Sequence, residues 1–424
     1  MNAMLNVLIN SYAVSPNWGS DPGMGWNWII NIARYCNVFV ITEGEWQKDI
    51  SIALKQLPYK ANIHFYYNPL SPRIRQMCWN QGDWRFYLYY RKWQKRTLKI
   101  AEQIVSKHKI DIIHQLNMIG FREPGYLWEL KDIPFVWGPI GGMELMPTGY
   151  FRGVSFTNRM KTYVKNIINE LQRKHDYRTK KVLNKSALLF AATKGVYETI
   201  KHIHEKEVIL LNETGCYCSN VCDREMAKVP QNNFDIIWVG KFDYRKQLEL
   251  ALHAVGKLKN IASVTLHVIG SGSEKQIARY HQLVDENEIG DLVVWHGKIP
   301  NKEVHSLMRK ADILLFTSIM EGTPHVVLEA LQNNLPVVCF DTCGQADVVN
   351  DNVGIKVPIT NTVQSIEDFA RVILQLYHNP RELNSLKNNC FERQKELAWE
   401  NKAATMVDYY HKAISQYKTK SANP

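Results

Sequence analysis

Residues 313–332 read ILLFTSIMEGTPHVVLEALQ: a short apolar run, a polar turn and a helical pattern. The apolar run ends at Phe316, Thr323 is a favourable N-cap, and Pro324 suits the first helical position. The stretch therefore predicts a strand followed by a helix from Pro324 to about Gln332. A run of Ile and Leu without strict alternation is typical of a strand buried on both faces of a parallel sheet.

The same unit recurs along the chain, because thirteen short apolar runs alternate with helical patterns. The predicted strands are Leu5–Asn10, Val38–Thr42, Ile63–Tyr67, Ile110–Leu116, Pro134–Trp137, Ala187–Ala192, Val208–Leu211, Asp235–Val239, Val264–Ile269, Leu292–Trp295, Ile313–Phe316, Pro336–Phe340 and Gly354–Val357. Repeated strand–helix–strand units predict an α/β fold with two doubly wound, Rossmann-like parallel-sheet domains.

The length of 424 residues fits such a two-domain chain. A polar stretch without periodicity at 212–233 indicates the boundary. We predict an N-terminal domain at 1–230 including this linker, a second domain at 231–397, and a C-terminal helix with a polar tail at 398–424. That last helix could fold back on either domain.

Composition excludes several classes of protein. Hydrophobic residues make up 45% and charged residues 22%, which is ordinary globular usage. No apolar run approaches the ~18 residues that span a bilayer. The N-terminal apolar stretch is short and lacks a basic start, so it reads as a strand rather than a signal peptide, and the cysteines show no disulfide spacing. We therefore expect a cytoplasmic location.

The charge is unevenly distributed. The formal net charge is +11, of which residues 1–230 carry +12 and residues 231–424 carry −1. Two segments, 73–109 and 152–185, each carry +8. Such asymmetry predicts a polyanionic partner for the first half, either nucleic acid or an acidic membrane.

The turn before the predicted helix at 324–332 is a candidate anion site, because a helix N-terminus offers free backbone N–H groups and a partial positive charge. Glu321 stands before that terminus, and Glu329 lies about 9 Å along the helix axis. One carboxylate could contact a ligand on each side of a bound phosphate. The alternative is an ordinary helix with two solvated glutamates.

Two further turns of the second half follow predicted strands. Gly240 is followed by Lys241 and Lys246, two cations that could neutralise a diphosphate leaving group. Gly270 and Gly272 could let the backbone approach a ligand closely. A surface loop and a plain turn remain the respective alternatives.

In the first half, Gly19, Gly23 and Gly25 form a flexible loop after the first strand. His114 lies at a strand end, where it could hydrogen-bond a sugar hydroxyl or serve a structural role. Another strand-end glycine loop contains Gly141 and Gly142 and is ambiguous by itself.

Together these motifs resemble glycosyltransferase family 4, the retaining nucleotide-sugar transferases of the GT-B fold, of the bacterial surface-polysaccharide type. The similarity is densest from Gly240 to Val357, and includes the E-x7-E motif of Glu321 and Glu329. The segments HVIGSGS, VVWHGKIP, ADILLFTS and LPVVCFDTCGQADVV follow the order usual in the family. The loops at 19–25 and FVWGPIGG look like its acceptor-side loops.

The resemblance implies a role for each matching residue. Glu321 would contact the donor sugar hydroxyls and Glu329 the ribose. Lys241 and Lys246 would bind the diphosphate. The backbone from Gly322 through Thr323 and Pro324 to His325 would complete the phosphate site. Donor-side glycines at 240, 270 and 272 and acceptor-side glycines at 19, 23, 25, 141 and 142 complete the candidate set.

Two departures from the family pattern matter. Lys241 stands where the family often has arginine, which loses the bidentate fork. The family often places H-x-H at the strand carrying His114, and here the second position is Leu116. The catalytic role of His114 is therefore an open hypothesis.

We accordingly expect a retaining, metal-independent glycosyltransferase that needs no cofactor. It would move a sugar from a nucleoside-diphosphate sugar to a glycan or lipid-linked acceptor in surface polysaccharide or lipopolysaccharide biosynthesis. A hydrolase, a GT-B sugar-nucleotide epimerase and a non-catalytic polyanion-binding protein are the alternatives. The sequence fits uridine and guanosine donors equally, and it leaves the acceptor open.

The segment 73–109 predicts association with an anionic membrane, because its basic residues are interleaved with aromatic ones. The aromatic residues are Trp79, Trp84, Phe86, Tyr87, Tyr89, Tyr90 and Trp93. The alternative is an ordinary helix whose aromatics pack on the sheet. Nucleic acid is disfavoured because no base-reading motif accompanies the charge. The expected location is thus peripheral, at the inner face of the cytoplasmic membrane.

Overall fold

The strands form two fully parallel sheets in the computed structural model, which describes residues 4–78, 85–152, 154–218 and 233–422. The first sheet has the order β3-β2-β1-β4-β5-β6-β7, and the second has the order β10-β9-β8-β11-β12-β13. The strands of the first sheet are β1 Asn6–Asn10, β2 Asn37–Thr42, β3 Ile63–Tyr67, β4 Ile112–Gln115, β5 Phe135–Ile140, β6 Leu188–Ala191 and β7 Ile209–Leu210. Those of the second are β8 Phe234–Val239, β9 Val264–Ile269, β10 Val293–Gly297, β11 Ile313–Phe316, β12 Val337–Phe340 and β13 Gly354–Val357.

Helices connect the strands, as a parallel sheet requires. Around the first sheet they are α1 Ser20–Ile32, α2 Gln47–Leu54, α3 Pro72–Cys78, α4 Arg85–Lys107, α5 Phe156–His175, α6 Tyr177–Lys185 and α7 Lys194–Ile203. The later helices are α8 Leu248–Gly256, α9 Glu274–Glu286, α10 Asn301–Lys310, α11 His325–Gln332, α12 Cys343–Val348, α13 Thr362–His378, α14 Pro380–Glu396 and α15 Trp399–Ala422. The predicted fold class is confirmed, and each of the thirteen predicted strands overlaps an observed one.

The chain divides into two compact units, one around each sheet. The first contains residues 1–143, 168–215 and 399–424, and the second contains residues 144–167 and 216–398. The division at residue 230 predicted from the polar linker did not anticipate that residues 144–167 pack with the second sheet. Most of that linker lies outside the described residues.

Each sheet is covered on both faces, which explains the uninterrupted apolar runs. In β8, Ile236 and Trp238 belong to one core cluster while the intervening Ile237 belongs to another. Successive side chains of a strand point to opposite faces, so these two clusters lie on opposite sides of the second sheet. The strands are therefore anchored along their whole length and hold the loops at their ends in fixed positions.

The last helix, α15, packs in the first unit. The rings of Trp28 on α1 and Trp399 meet edge to face with their centroids 5.5 Å apart. The Trp28 indole Nε1 donates a hydrogen bond of 2.8 Å to the carbonyl of Glu213. Tyr410 is completely buried in the same core. Of the two placements left open by the sequence, the C-terminal helix takes the one on the first unit.

Candidate active site

The strand order reverses between β8 and β11 in the second sheet. These two strands are neighbours, with Ile236 opposite Ile313 and Ile237 opposite Leu314. The connections on the two sides of such a reversal diverge, and ligands of open parallel sheets bind in the crevice beyond the carboxyl ends of the strands at that point. The segments after β8 and β11 are those that carry Lys246 and Glu321.

Lys246 and Glu321 form an ion pair at this point. The Nζ of Lys246 lies 2.8 Å from Oε1 of Glu321, and the two side chains are 18% and 15% exposed. The ammonium also lies 5.1 Å from the centroid of the Phe316 ring. Because both side chains are partly buried, each charge interacts more strongly with a ligand group that enters the site than it would in bulk water. The pair can thus offer positive charge to a phosphate and an acceptor to a hydroxyl within a few ångströms.

A threonine that the sequence analysis missed holds the two segments together. The Thr317 hydroxyl donates to the carbonyl of Lys246 at 2.7 Å, and accepts a bond of 3.1 Å from Nε1 of Trp238. The backbone N–H of Ile319 donates to the carbonyl of Arg245 at 2.9 Å. These bonds fix the backbone on which Lys246 stands against the segment that leads to Glu321.

The position of Lys246 is set locally by an aspartate cap. Asp243 accepts a side-chain bond of 3.0 Å from the backbone N–H of Arg245, and its carbonyl accepts one of 2.9 Å from the N–H of Lys246. The turn ends at Gln247, which adopts a left-handed backbone with φ 51°. Lys241 is exposed on the preceding loop.

The glycines after β8 and β9 pack against each other. Gly270 has φ +138°, and a Cβ built on it would lie 1.8 Å from the carbonyl oxygen of Gly240. A Cβ on Gly272 would meet the Cβ of Phe242 at 2.7 Å. No L side chain fits either contact without displacing the loop. The structure therefore brings together Gly240, Gly270 and Gly272, as expected for loops that share one edge of the sheet.

The helix after Glu321 begins one residue later than predicted. Helix α11 starts at His325, and Pro324 rather than Thr323 occupies the N-cap position with φ −75° and ψ 122°. Proline fixes φ but leaves ψ free, so it can stand just outside the helix as well as at its first position. Gly322 and His325 are exposed while Glu329 is half-buried within α11.

The first turn of helix α12, which follows β12, supports the turn at Gly322. A Cβ on Gly344 would lie 2.3 Å from the carbonyl oxygen of Gly322, so the two backbones are in direct contact. Gln345 donates a bond of 3.0 Å from Nε2 to the carbonyl of Ser318. Among the residues that the structure describes, the buried Oε1 of Gln345 and Oγ of Ser318 have no hydrogen-bond partner. The sequence analysis did not single out this pair, because isolated polar residues carry no periodic signal.

The adjacent Cys343 is a buried thiol. Burial raises its pKa to about 11, with a smaller contribution from the negative charge of Glu144. It therefore stays protonated at neutral pH and adds no charge beside Glu321.

His114 of the first unit is completely enclosed. Its Nε2 lies 2.7 Å from the carbonyl oxygen of Gly138, and its Nδ1 lies 2.6 Å from the hydroxyl of Tyr410. A carbonyl can only accept, so Nε2 carries the proton and Nδ1 accepts from Tyr410. Burial lowers the pKa of the imidazole to about 4. A sugar hydroxyl could reach this ring only by replacing one of these bonds, so the geometry is that of a structural histidine.

The glycine loop at 19–25 lies at the carboxyl edge of the first sheet, next to the neighbouring strands β1 and β4. Gly23 and Gly25 lie within α1, and a Cβ on Gly25 would be 2.7 Å from Oγ of Ser11 and 2.9 Å from Nδ2 of Asn117. A Cβ on Gly19 would meet nothing within 4 Å. Of this predicted flexible loop, the last two glycines are thus packed helix positions.

The second glycine loop of the first unit bonds back onto the chain. Gly141 donates to the carbonyl of Ile119 at 2.7 Å and accepts from the N–H of Phe121 at 3.2 Å. Gly142 follows with φ +80°, a left-handed conformation that favours glycine.

The basic segment 73–109 differs from its prediction in one respect. Tyr90 and Trp93 are 1% and 0% exposed and belong to an apolar core cluster, so the interpretation of these two rings as membrane-facing is wrong. They occupy one face of α4 and pack there because rings spaced by three residues share a helix face. Tyr87 and Leu88 are exposed, whereas Trp79 and Trp84 lie outside the described residues.

None of the helices in the described ranges has the length and apolar content needed to cross a bilayer.

The comparisons with known proteins agree with this architecture. Residues 223–393 match the family described as Glycosyl transferases group 1, which spans the site at Lys246 and Glu321. The match covers 171 of the 424 residues. The predicted glycosyltransferase relationship is thereby confirmed at this level, while the assignment to family 4 stays a prediction.

Among curated relatives, the D-inositol 3-phosphate glycosyltransferase of Streptomyces bingchenggensis is 25% identical over 204 residues, which cover 46% of this chain and 44% of the relative. The lipopolysaccharide 1,6-galactosyltransferase of Escherichia coli K12 is 33% identical over 122 residues, covering 28% of this chain and 33% of the relative. The chain thus spans less than half the length of these relatives.

Solved structures resemble nearly the whole chain. A sucrose-phosphate synthase from Thermosynechococcus elongatus superposes with a TM-score of 0.63 and 17% identity, covering 97% of this chain and 99% of its own. The lipopolysaccharide outer core galactosyltransferase WaaB gives a TM-score of 0.61 with 13% identity, covering 95% and 98%. HepE from Anabaena, solved with UDP, gives 0.60 with 13% identity, covering 96% and 100%. The fold is accordingly the GT-B fold.

Proposed function

We propose that this protein is a retaining glycosyltransferase that moves a sugar from a nucleoside-diphosphate sugar to a glycan or lipid-linked acceptor. The observation that carries the proposal is the ion pair of Lys246 and Glu321 at the point where the strand order of the second sheet reverses. A nucleoside-diphosphate sugar places a dianionic linkage beside sugar hydroxyls, and these are the groups that an ammonium and a carboxylate bind. The relatives in lipopolysaccharide synthesis support a role in surface polysaccharide assembly.

The residues of the second unit would act mainly by positioning and by electrostatics. Lys246 would stabilise the negative charge that develops on the departing diphosphate, with Lys241 adding longer-range attraction. Glu321 would accept hydrogen bonds from the donor sugar and hold its reacting carbon in place. The exposed backbone at Gly322 and His325 would complete the phosphate site at the start of α11.

Retention and independence of metal are the finer parts of the proposal. Lys246 already supplies the positive charge that a divalent cation would otherwise provide to the diphosphate. Departure of the diphosphate and attack on the same face would need no protein nucleophile. Turnover should therefore survive a chelator; loss of turnover in chelator, restored by magnesium or manganese, would overturn this part.

The decisive experiment is incubation with a panel of nucleotide sugars, scoring release of nucleoside diphosphate with and without acceptor glycans. The UDP in the HepE structure supports testing uridine donors first, and guanosine donors next. A transferase releases diphosphate in proportion to acceptor, whereas a hydrolase releases it without one. An epimerase would convert the donor sugar without releasing diphosphate. A polyanion-binding protein would do none of these.

We also propose that the segment 73–109 contributes to a peripheral position on an anionic membrane. Its net charge of +8 supports this, together with exposed Tyr87 and Leu88 on α4. Binding to anionic vesicles should weaken when Lys92 and Lys95, both exposed, are changed to glutamate. Arg91 is a poorer choice because it is paired with Glu123 at 2.6 Å. Unchanged binding in the two-lysine variant would contradict a role of this segment.

A further inference from the structure

Helix α5, Phe156–His175, turns its polar side toward the protein. Asn166 bonds both backbone groups of Met146, accepting from its N–H at 3.0 Å and donating to its carbonyl at 2.9 Å. The Arg122 guanidinium donates to Asn169 at 2.6 Å and to Gln172 at 2.5 Å. These three polar residues recur every three positions and so occupy one side of the helix. Hydrogen bonds, rather than apolar packing, hold that side.

The opposite side of α5 is an exposed apolar stripe, which we define by seven residues. They recur at intervals of three and four, and their exposed fractions are Phe156 75%, Met160 46%, Tyr163 44%, Val164 50%, Ile167 59%, Ile168 47% and Leu171 56%. At about 100° per residue they fall within an arc of roughly 140°, centred opposite the polar side. No residue among the described side chains of α5 is fully buried.

This arrangement is the reverse of an ordinary surface helix, whose apolar side packs on the core. Single exposed apolar residues are common, but a continuous patch of this kind marks an interaction surface. Covering it would be favourable in proportion to the apolar area removed from water. An environment of low polarity must therefore cover the exposed side of this helix.

The charges around the stripe indicate which compartment. Arg159 and Lys161 flank it near its start, and Lys165 follows on the solvent-exposed flank. Within α5 the sole acidic residue is Glu170, which is already paired with Lys174 at 2.6 Å and with Arg173. A second copy of the same surface would bring like charges together, which disfavours a dimer. Anionic lipid headgroups would instead neutralise the basic flanks.

We propose that the apolar stripe of α5 inserts into the interface of an anionic membrane. The helix is about 30 Å long, and would lie in the membrane plane with the stripe toward the acyl chains. Arg159, Lys161 and Lys165 would reach the headgroups, and the Tyr163 ring suits the level between the two. The stripe lies outside the segment 73–109 in the sequence, and the proposal does not depend on the proposed transferase activity.

The test is sedimentation with vesicles of equal parts phosphatidylcholine and phosphatidylglycerol. Ile167→Ser combined with Leu171→Ser should lower the partition coefficient at least tenfold. Ile261→Ser combined with Ile52→Ser is the matched control, because these residues are 59% and 61% exposed but belong to no stripe. The control should bind like the wild type. Both variants should keep the wild-type thermal midpoint, since exposed side chains contribute little to folding.

Salt and lipid composition separate the two surfaces. Salt should weaken the binding of the wild type to vesicles, but part of that binding should persist at high salt, because apolar insertion is not screened. Only the α5 variant should lack this salt-resistant part. Changing Lys92 and Lys95 to glutamate should remove the salt-sensitive part contributed by the other segment. Equal binding of the α5 variant and the wild type would overturn the proposal. A second result would also overturn it: light scattering shows that the wild type is a dimer and the α5 variant a monomer, and the wild type does not bind vesicles.

Discussion

The Nζ of Lys246 lies 2.8 Å from Oε1 of Glu321, although 75 positions separate the two residues in the chain. Adjacent strands β8 and β11 and the Thr317 hydroxyl bring them together. Because each charge is the nearest partner of the other, substituting one residue changes the electrostatics of its neighbour. Because of this coupling, substitutions of the two residues should affect turnover and nucleoside diphosphate affinity differently.

For Glu321→Gln we expect turnover to fall at least tenfold while affinity for nucleoside diphosphate stays the same or rises. The amide loses charge-assisted bonds to sugar hydroxyls, each worth roughly 1.5–3 kcal/mol. It also releases Lys246 from its ion pair, which favours the diphosphate. Initial rates and calorimetric titration measure the two effects. The control is Glu303→Gln, which changes an exposed carboxylate at the start of α10. Wild-type turnover in Glu321→Gln would exclude Glu321 from the site.

Lys246→Ala should weaken nucleoside diphosphate binding at least tenfold and leave binding of the nucleoside within about twofold, because only the diphosphate carries charge. Lys241→Ala should have a smaller effect in the same direction, since that lysine is exposed and screened by solvent. Calorimetry with both ligands measures the difference. Lys257→Ala, which breaks an exposed pair with Glu367, is the control. Equal losses for both ligands would exclude a diphosphate role.

The strands were predictable because both faces of each sheet are covered, which produces short apolar runs that differ clearly from helical patterns. The pairing of Lys246 with Glu321 could be anticipated only as far as both follow strands of one sheet. The sequence could not show that Thr317 clamps the two loops or that Gln345 supports Ser318. Those contacts depend on long-range geometry, for which a single polar residue gives no signal.

Two features of the tertiary structure could not be read from the sequence, for a common reason. The sequence left His114 as either a ligand of a sugar hydroxyl or a structural residue, and the contacts that enclose its ring come from Gly138 and from Tyr410, which is 296 positions away. In α5 the sequence gives two faces but not which one meets the protein. Periodicity reports that a helix has an apolar side, and only the tertiary structure reports that Asn166 and Asn169 bind inward.

Gly270→Ala should disrupt the loop after β9 and weaken nucleoside diphosphate binding. The added Cβ would lie 1.8 Å from the carbonyl of Gly240, and φ +138° is unfavourable for alanine, so we expect destabilisation of about 2 kcal/mol or more. Gly290→Ala is the matched control, because a Cβ there meets nothing within 4 Å. Chemical denaturation and calorimetry of both variants measure the difference. Equal stability of the two would mean that the loop yields freely and does not constrain Gly240.

His114 should make the stability of the protein depend on pH. Burial lowers the pKa of its imidazole from 6.5 to about 4, so the unfolded chain binds the proton more readily than the folded protein. The stabilisation is therefore complete above pH 6.5 and is lost as the pH falls toward 4. Between pH 7 and pH 5 this group alone should lower the free energy of unfolding by about 2 kcal/mol.

Urea unfolding of the wild type and of His114→Gln at both pH values isolates this contribution. The other histidines whose pKa values are lowered are present in both proteins, namely His64, His204, His253 and His296. The variant is expected to be less stable at pH 7, because it loses the paired bonds to Gly138 and Tyr410, but to lose less stability on acidification. A variant that loses as much between pH 7 and pH 5 as the wild type would show that the ring takes up its proton without leaving the folded state.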